Sequence, residues 1–543
     1  MVFARRSTTL LAAIIASCAM VLSLTACTSD NKTVVDGQTT VTSNSAGGVA
    51  VFTPSDGITL NQQTPLNKWA KLVPDLAKAL ADAGFKKGDI DHTTSDSLAK
   101  QSRAIQDFVV DHLSNNTTDD SGIAIAPDNM TLLVAPVVEA DASTRQYGDY
   151  ISQNLSTNDA TDGEATSDGE SSEDDSSKDD SSNTESDSTA SDEQAQAVDR
   201  LVSSLKLAKE SGMHVVLLGN SIEGYKPDAF VKFSDAQTIG KLQAEKMVSK
   251  LKLDKASKDN PKYIEVLLPY TAVDEKSNAN DSTFAQEAFR GIWQVLGSYY
   301  QKGVVESPSG TLDGKSTEND WQAVAYDAAK EGSTAKVLDK RLAKTDGQST
   351  LTRIDGIITM NDYIASEVVK ELDDLGYTGS AADINPQITI SGIVGNITGK
   401  KDLSRDAVPD PIKSPENDNA NDSSSSDDDA DEDTSASDKD RDSQWPLVTG
   451  YGAYVSNIPS IVNGKQWMTG MEDRQTIATD IAQACAKLNK DEALNSMPSI
   501  RNSEVGGVKK IPTISEPLLA VSASNLKSAL IDPGYISLAD AGL

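Results

Sequence analysis

The stretch AQAVDRLVSSLKLAKESGMHVVLLGN, residues 195–220, contains the pattern that decides the fold. Residues 195–211 are amphipathic and predict a helix, which leads directly into the apolar run HVVLL at residues 214–218. A continuous apolar strand is typical of a parallel sheet, because helices cover both of its faces. This stretch therefore predicts an α/β fold in which helices and buried strands alternate.

The same alternation extends in both directions along the chain. Apolar runs predict further strands at residues 49–53, 130–137, 263–268 and 354–359, and amphipathic stretches predict helices at about 66–83, 96–113, 282–300, 321–331 and 363–375. Two such sets of elements predict two doubly wound parallel-sheet lobes. Because ligands of these sheets bind at the carboxyl ends of the strands, we expect the binding site in a cleft between the lobes.

The start of the chain has the three parts of a bacterial export signal. Two arginines are followed by an apolar run at residues 10–24, which is too short for a stable membrane span. The sequence LTAC at residues 24–27 resembles the lipobox, in which the cysteine is diacylated after cleavage. An ordinary secretory signal needs no cysteine at that place. We therefore expect a lipid on Cys27 that anchors the protein to the outer face of the bacterial cell membrane.

The formal net charge of −33 is concentrated in two segments. Residues 156–193 contain 14 acidic residues and one Lys, and residues 414–442 contain 12 acidic residues and two basic ones. Segments of this composition bury too little apolar surface to offset the entropy of ordering, so they predict disordered insertions. The rest of the chain is only mildly acidic, which argues against nucleic acid as a partner.

The few cysteines and histidines argue against several classes of site. Cys485 is the one cysteine left once the signal is removed and Cys27 is lipidated, and the three histidines are scattered. Neither a disulfide nor a metal site of the Cys/His type is expected. No Gly-x-Ser-x-Gly turn follows a predicted strand, and no P-loop is present. We therefore expect no metal, no cofactor and no enzymatic activity.

Several collinear segments resemble a known protein family. Lys68-Trp69 opens the first helix, and Gln101 lies in the second. Residues 446–483 read as a strand, a hinge turn, a helix, a return strand and a further helix, and residues 505–521 read as a hairpin and a closing strand. In this order they resemble the xylose- and multiple-sugar-binding proteins of ABC transporters, which have the type I periplasmic-binding fold. The resemblance implies a monomeric solute-binding protein that closes over a sugar or a related small polar ligand and delivers it to an ABC permease.

The resemblance also implies a set of ligand-binding residues. An indole covers the apolar face of a pyranose, and an amide beside a carboxylate can bind adjacent hydroxyls. The positions that match are Trp69, Asn220, Trp321, Asn361, Asp362 and Tyr451. Structural alternatives stay open, because Trp69 can pack in the core, Trp321 can begin an exposed helix, and Asn361 or Asp362 can cap one.

Some charged positions of the family are changed in this chain. Its Asp-Arg pair is replaced by Gly219-Asn220, its hinge aspartate by Gly452, and its later Tyr-Lys pair by Met471-Glu472. Each buried charged partner contributes about 1.5–3 kcal/mol to binding, so the identity of the ligand is open. A second hypothesis is a degenerate surface lipoprotein that acts as a sensor or a protein-interaction module without transport.

These observations together predict the organisation of the whole chain. An apolar run at residues 389–395 is either an extra strand or the true hinge strand. The predicted parts are a signal peptide at 1–26, a flexible tether at 27–46, an N-terminal lobe at 47–232 with 451–468, a C-terminal lobe at 233–450 with 469–543, and disordered acidic insertions at 140–194 and 408–443.

Overall fold

The computed structural model describes the greater part of the chain outside the start and the acidic segments. The described residues are 32–35, 38–41, 46–55, 65–115, 126–138, 144–157, 184–270, 280–328, 330–343, 351–381 and 445–543. The predicted signal peptide, Cys27, the second acidic insertion and the run 389–395 lie outside them. Within the described part of the chain, no helix combines the length and the apolar character needed to cross a membrane.

The chain divides into two compact units, Met1–Asn44 and Ser45–Leu543. In the first unit, strands β1 (Lys32–Val35) and β2 (Gln38–Val41) pair antiparallel. Within the described residues, the second unit contains all the other helices and strands. Its strands are β3 (Gly48–Pro54), β4 (Ile90–Ser95), β5 (Met130–Val134), β6 (Asn154–Leu155), β7 (His214–Leu218), β8 (Ser221–Ile222), β9 (Ala229–Lys232), β10 (Lys262–Val266), β11 (Leu268–Tyr270), β12 (Val305–Glu306), β13 (Ala325–Asp327), β14 (Gly356–Ile358), β15 (Leu447–Val448), β16 (Met468–Met471), β17 (Ile500–Val505), β18 (Val508–Ser515) and β19 (Leu519–Ser522). Its helices are α1 (Trp69–Asp82), α2 (Leu98–Asn115), α3 (Thr184–Glu210), α4 (Ala236–Leu251), α5 (Asn280–Gln301), α6 (Ser333–Arg341), α7 (Asp362–Leu375), α8 (Ile458–Val462) and α9 (Arg474–Leu488).

The first lobe is built on a sheet with the strand order β17-β18-β9-β7-β5-β3-β4. All neighbours pair in parallel except the hairpin β17–β18. Side chains of β3 alternate between its faces: Val49 and Val51 join the core under α1 and α9, whereas Ala50 and Phe52 join the core under α2 and α3. This alternation with period two buries both faces, as the continuous apolar run predicts.

The second lobe is built on the parallel sheet β12-β10-β14-β15, next to which β11 pairs with β13 in parallel. Ile264 and Val266 of β10 face the core formed with α4 and α5. Ile357 of β14 faces the other core, which is formed with α6 and α7. Helices therefore cover both faces of this sheet too, and the predicted class, two doubly wound parallel-sheet lobes, is confirmed.

Three connections join the lobes in the described part of the chain. The chain passes from β9 to α4, from β16 to α9, and from β18 to β19, which pairs antiparallel with β16. These connections correct the predicted lobe boundaries. Residues 474–515 belong to the first lobe, because α9 packs under the first sheet and β18 is hydrogen-bonded to β9. Residues 451–468 lie with the second lobe, where Trp467 is part of the core.

Two further predictions on local structure were wrong. Within the predicted insertion 140–194, residues 144–157 instead pack against the lobes, with Tyr147 and Tyr150 each 1% exposed. Burial of these two tyrosine rings stabilises the segment, whereas the acidic run that follows has little apolar surface to bury. The helix predicted at 321–331 is instead a 3₁₀ turn at residues 320–323 followed by β13, because its backbone pairs with β11.

Candidate functional site

The carboxyl ends of strands from both sheets meet at the junction of the lobes. Asn220 and Ser234 follow β7 and β9 of the first lobe, and Asn361 and Tyr451 follow β14 and β15 of the second. The hydroxyl of Tyr451 is hydrogen-bonded to that of Ser234, so the two edges are in contact. We call the region around these four residues the cleft.

A segment that follows β5 crosses this cleft. We call residues 146–155 the strap. Its β6 pairs in parallel with β8, and the backbone N–H of Gln153 donates to the side-chain oxygen of Asn220 at 2.9 Å. The Asn220 amide in turn donates to the carbonyl oxygen of Pro136 at 2.9 Å. The buried Asn220 side chain therefore holds the strap to the end of β7.

The middle of the strap is tied to the start of α1. The carboxylate of Asp149 accepts a hydrogen bond from the backbone N–H of Trp69 at 3.0 Å and lies 2.8 Å from the ammonium of Lys68. The backbone N–H of Asp149 donates to the carbonyl oxygen of Asn67 at 2.8 Å. Asp149 thus takes the N-cap role for α1, whose own N-cap residue, Lys68, makes no side-chain cap bond.

The strap places an aromatic ring between two rings of the first lobe. Tyr150 stacks on Phe233 with a centroid distance of 4.7 Å and lies edge to face with Trp69 at 5.1 Å. Its hydroxyl donates to the carbonyl oxygen of Lys68 at 2.5 Å. Trp69 is 3% exposed. The predicted stacking tryptophan therefore does lie at the carboxyl edge of the sheet, but its ring partner is part of the chain itself.

The start of the strap contacts the second lobe. The ring of Tyr147 lies 4.7 Å from that of Phe284 on α5 and 6.3 Å from that of Tyr451. The side-chain oxygen of Gln146 accepts from the amide of Asn361 at 3.1 Å, and its backbone oxygen accepts from the hydroxyl of Tyr454 at 2.7 Å. The strap therefore bridges both lobes across the cleft.

Asn361 and Asp362 are both fully buried at the start of α7. The Asn361 side-chain oxygen accepts from the backbone N–H of Ile364 at 2.9 Å, so Asn361 is the N-cap of the helix.

The Asp362 carboxylate accepts from the Gln466 amide at 2.7 Å and from the Thr469 hydroxyl at 2.9 Å. Burial raises the pKa of Asp362 to about 6, although these hydrogen bonds oppose the rise. The hydrogen bonds that the Asp362 carboxylate accepts hold the hinge turn in place.

Tyr451, Ser234 and Glu472 form a buried cluster between two of the connections. One carboxylate oxygen of Glu472 accepts from the backbone N–H and the hydroxyl of Ser234 and, at 3.3 Å, from the hydroxyl of Tyr451. Burial raises the pKa of Glu472 to about 7 and, together with Glu472, raises the pKa of Tyr451 well above its ordinary value. The cluster therefore places a carboxyl group with a raised pKa between two of the connections that join the lobes.

Trp321 is half-buried in the second lobe, on the 3₁₀ turn before β13. Its ring meets that of Tyr270 edge to face at 6.1 Å. Tyr270 ends β11, so this pair also lies at a carboxyl edge of a strand. The Trp321 ring contacts that of Tyr270, whereas the Trp69 ring contacts rings of the first lobe and of the strap.

Sequence reasoning missed several residues that line the cleft. Tyr147 and Tyr150 stand in RQYGDYISQNL, and two aromatic residues next to an acidic run were the available signal. Phe233 and Ser234 follow a short strand that periodicity did not reveal. Glu472 drew notice for its departure from the family, but no sequence feature indicated that its partners would be Ser234 and Tyr451.

Comparisons with known proteins give weak matches to solved structures. No family model matches the sequence, and no curated protein matches it, so the resemblance to the xylose-binding family stays a prediction. An ABC transporter solute-binding protein from Clostridium phytofermentans with bound β-D-glucose is 17% identical, with a TM-score of 0.44 and coverage of 91% of this chain and 99% of that one. A carbohydrate transporter solute-binding protein from Chloroflexus aurantiacus in complex with D-glucose is 18% identical, with a TM-score of 0.43 and coverage of 92% and 98%. A periplasmic ribose ABC transporter protein from Conexibacter woesei is 13% identical, with a TM-score of 0.42 and coverage of 90% and 96%. The architecture given above rests on the strand pairing of this chain alone.

Proposed function

We propose that this chain is an extracytoplasmic solute-binding protein for a sugar or a related small polar ligand. One observation carries the proposal: the carboxyl ends of two parallel sheets face each other across a hinge of three connections. This is the place where open α/β sheets bind ligands, and a hinge allows two lobes to close over one. Rings and buried hydrogen-bonding side chains of both lobes lie there.

The rest of the proposal follows from the sequence. The lipobox at residues 24–27 supports attachment to the outer face of the cell membrane through Cys27. A lipid-anchored monomer with two mobile lobes fits delivery of the ligand to an ABC permease. The candidate ligand groups remain Trp69, Asn220, Trp321, Asn361, Asp362 and Tyr451.

A specific observation favours a second candidate, a surface lipoprotein that senses or binds a protein without transport. Tyr147 and Tyr150 lie within the cleft, and the amides of Asn220 and Asn361 are bonded to the strap. A cleft that is permanently filled in this way has no room for a solute. Its lobes and acidic segments would then serve as an interaction surface.

A thermal-shift screen against monosaccharides, oligosaccharides, amino acids and nucleosides separates the two candidates. A ligand at about 100 times its dissociation constant adds roughly 2.7 kcal/mol of stability and raises the melting temperature. We expect a hit that weakens in Trp69→Phe but persists in Trp445→Phe, which removes an equally buried indole from the second-lobe core. A folded protein without any hit would favour the second candidate.

A further inference from the structure

The strap lies outside the alternation of strand and helix that forms the first lobe. The sheet is continuous from β17 to β4 without it, and the strap adds only the two-residue pair β6–β8 at its end. The rest is held by side chains and isolated backbone bonds. Segments held in this way are those that open locally, at a free energy below that of global unfolding.

The strap fills the cleft in the manner of a bound ligand. The Tyr150 ring stacks on Phe233, as a sugar ring or an aromatic ligand would stack, and it lies edge to face with Trp69. Tyr147 extends the contact to Phe284 of the second lobe. Rings of both lobes therefore receive their partners from one short segment of the same chain.

The polar contacts of the strap follow the same pattern. Gln153 supplies a donor to Asn220, and Gln146 supplies an acceptor to Asn361. These two amides lie after a strand of each lobe, and both are among the groups predicted to bind a solute. The strap thus satisfies, from within the chain, hydrogen bonds that a ligand would otherwise make.

One polar group against the strap has no partner in the described part of the chain. The side-chain amide nitrogen of Asn67, a residue only 1% exposed, makes no hydrogen bond. The Cβ of Asn67 lies close against Gly148, and its side-chain oxygen is 3.5 Å from the backbone N–H of Glu472. A buried donor left unpaired costs about 1–3 kcal/mol, which a polar ligand group at this place would recover.

We propose that the strap is a detachable, autoinhibitory occupant of the cleft, which a solute displaces when it binds. The inference rests on the proposed function for the identity of the competitor, but the detachment itself is a property of this chain alone. If the strap is closed most of the time, the apparent affinity for a solute is reduced by the fraction of molecules in which it is open. The strap therefore sets the concentration at which the protein responds.

Gly148 offers a way to dislodge the strap without removing a core side chain. Its φ is +96°, and an added Cβ would lie 2.5 Å from the carbonyl oxygen of Asn67, which is backbone and cannot give way. Gly148→Ala should therefore push the strap out of place. Gly310→Ala is the matched control, because Gly310 has φ +71° with nothing within 4 Å of the added Cβ.

Hydrogen exchange on the full chain tests detachment without any ligand. We expect the amides of Asp149 and Gln153 to exchange about 100-fold faster than those of β7 in the wild type. In Gly148→Ala, strap exchange should accelerate by at least about tenfold while β7 is unchanged, and Gly310→Ala should resemble the wild type. Strap amides that exchange only as fast as β7, or strap and sheet that accelerate together in Gly148→Ala, would overturn the proposal.

Solute binding to the same two variants tests the strap as a competitor separately from the proposed function. For any solute found in the thermal-shift screen, Gly148→Ala should lower the dissociation constant by at least about tenfold relative to Gly310→Ala. An unchanged dissociation constant would overturn the strap as a competitor. If no solute binds either variant, the proposed function fails, while the exchange data still decide whether the strap detaches.

Discussion

The two buried carboxylates of the hinge, Asp362 and Glu472, are held in different ways. Asp362 uses both of its oxygens, and its donors Gln466, Thr469 and the backbone of Tyr454 come from one stretch of the second lobe. Glu472 accepts hydrogen bonds from Ser234 and Tyr451 on one oxygen, and these two residues belong to separate segments. Asp362 therefore stabilises a local turn, whereas Glu472 joins segments that are separate in the chain.

The two carboxyl groups have in common a pKa above the ordinary value. Burial raises both, to about 6 for Asp362 and about 7 for Glu472, from ordinary values of 3.8 and 4.5. Hydrogen bonds from both sides of the Asp362 carboxylate stabilise its charged form and limit the rise. Hydrogen bonds from Ser234 and Tyr451 oppose the rise at Glu472 as well, and its pKa is the higher of the two.

The largest effect is expected from Asp362→Ala. It leaves the Tyr454 backbone N–H and one N–H of the Gln466 amide buried without an acceptor, and it leaves the Thr469 hydroxyl with only its 3.3 Å bond to the Gly470 carbonyl oxygen. The free energy of unfolding should therefore fall by about 3–5 kcal/mol. Asp373→Ala is the control, because that carboxylate on the same helix is 51% exposed and paired with Lys465. Chemical denaturation should show a change within about 0.5 kcal/mol for the control. Equal losses in the two variants would contradict the structural role of Asp362.

A smaller effect, specific to pH, is expected from Glu472→Gln. The folded protein binds the Glu472 proton more tightly than the unfolded chain, so its contribution to stability is complete below about pH 4.5 and is lost as the pH rises to about 7. The contribution amounts to about 3 kcal/mol. Denaturation curves across this range should therefore be flatter in Glu472→Gln than in the wild type. Parallel curves for the two proteins would show that Glu472 does not carry this proton.

The smallest effect is expected from the removal of a single tyrosine hydroxyl, which compares the surroundings of Glu472 with those of Asp362. Tyr451→Phe removes a donor to Glu472 and should cost about 1 kcal/mol while moving the pH transition of Glu472 upward. Tyr454→Phe removes a bond to the strap but keeps the backbone N–H that donates to Asp362. The pH dependence of stability in Tyr454→Phe should match that of the wild type. A shift of the pH transition as large as that in Tyr451→Phe would contradict the difference drawn between Asp362 and Glu472.

The sequence predicted the individual strands and helices better than it predicted which lobe each of them belongs to. Strands such as residues 214–218 and the helix stop at Gly376 follow from apolar runs and from a left-handed C-cap, which are local properties. Membership of a lobe is not local. Residues 500–515 join the first sheet through pairing with β9, more than 250 positions earlier in the chain, and periodicity carries no information on that partner.

Three of the residues predicted to bind a ligand lie after strands, whereas their contacts were not predicted, and their ligand role stays a prediction. Asn220, Asn361 and Tyr451 do follow strands, as the argument from parallel sheets requires. Their partners could not be foreseen, because the strap is a short, mostly polar stretch whose two tyrosines are recognisable as buried only once both lobes surround them. Composition alone assigned it to the acidic insertion.

The central claim, that a solute binds in the cleft, is tested most directly by a crystal structure of the protein grown with the solute that gives the largest thermal shift. The account predicts electron density for the solute against Trp69 and Phe233, in the place now taken by Tyr150, with Asn361 bonded to it from the second lobe. A solute bound outside the cleft, with the Tyr150 ring still on Phe233, would contradict the account.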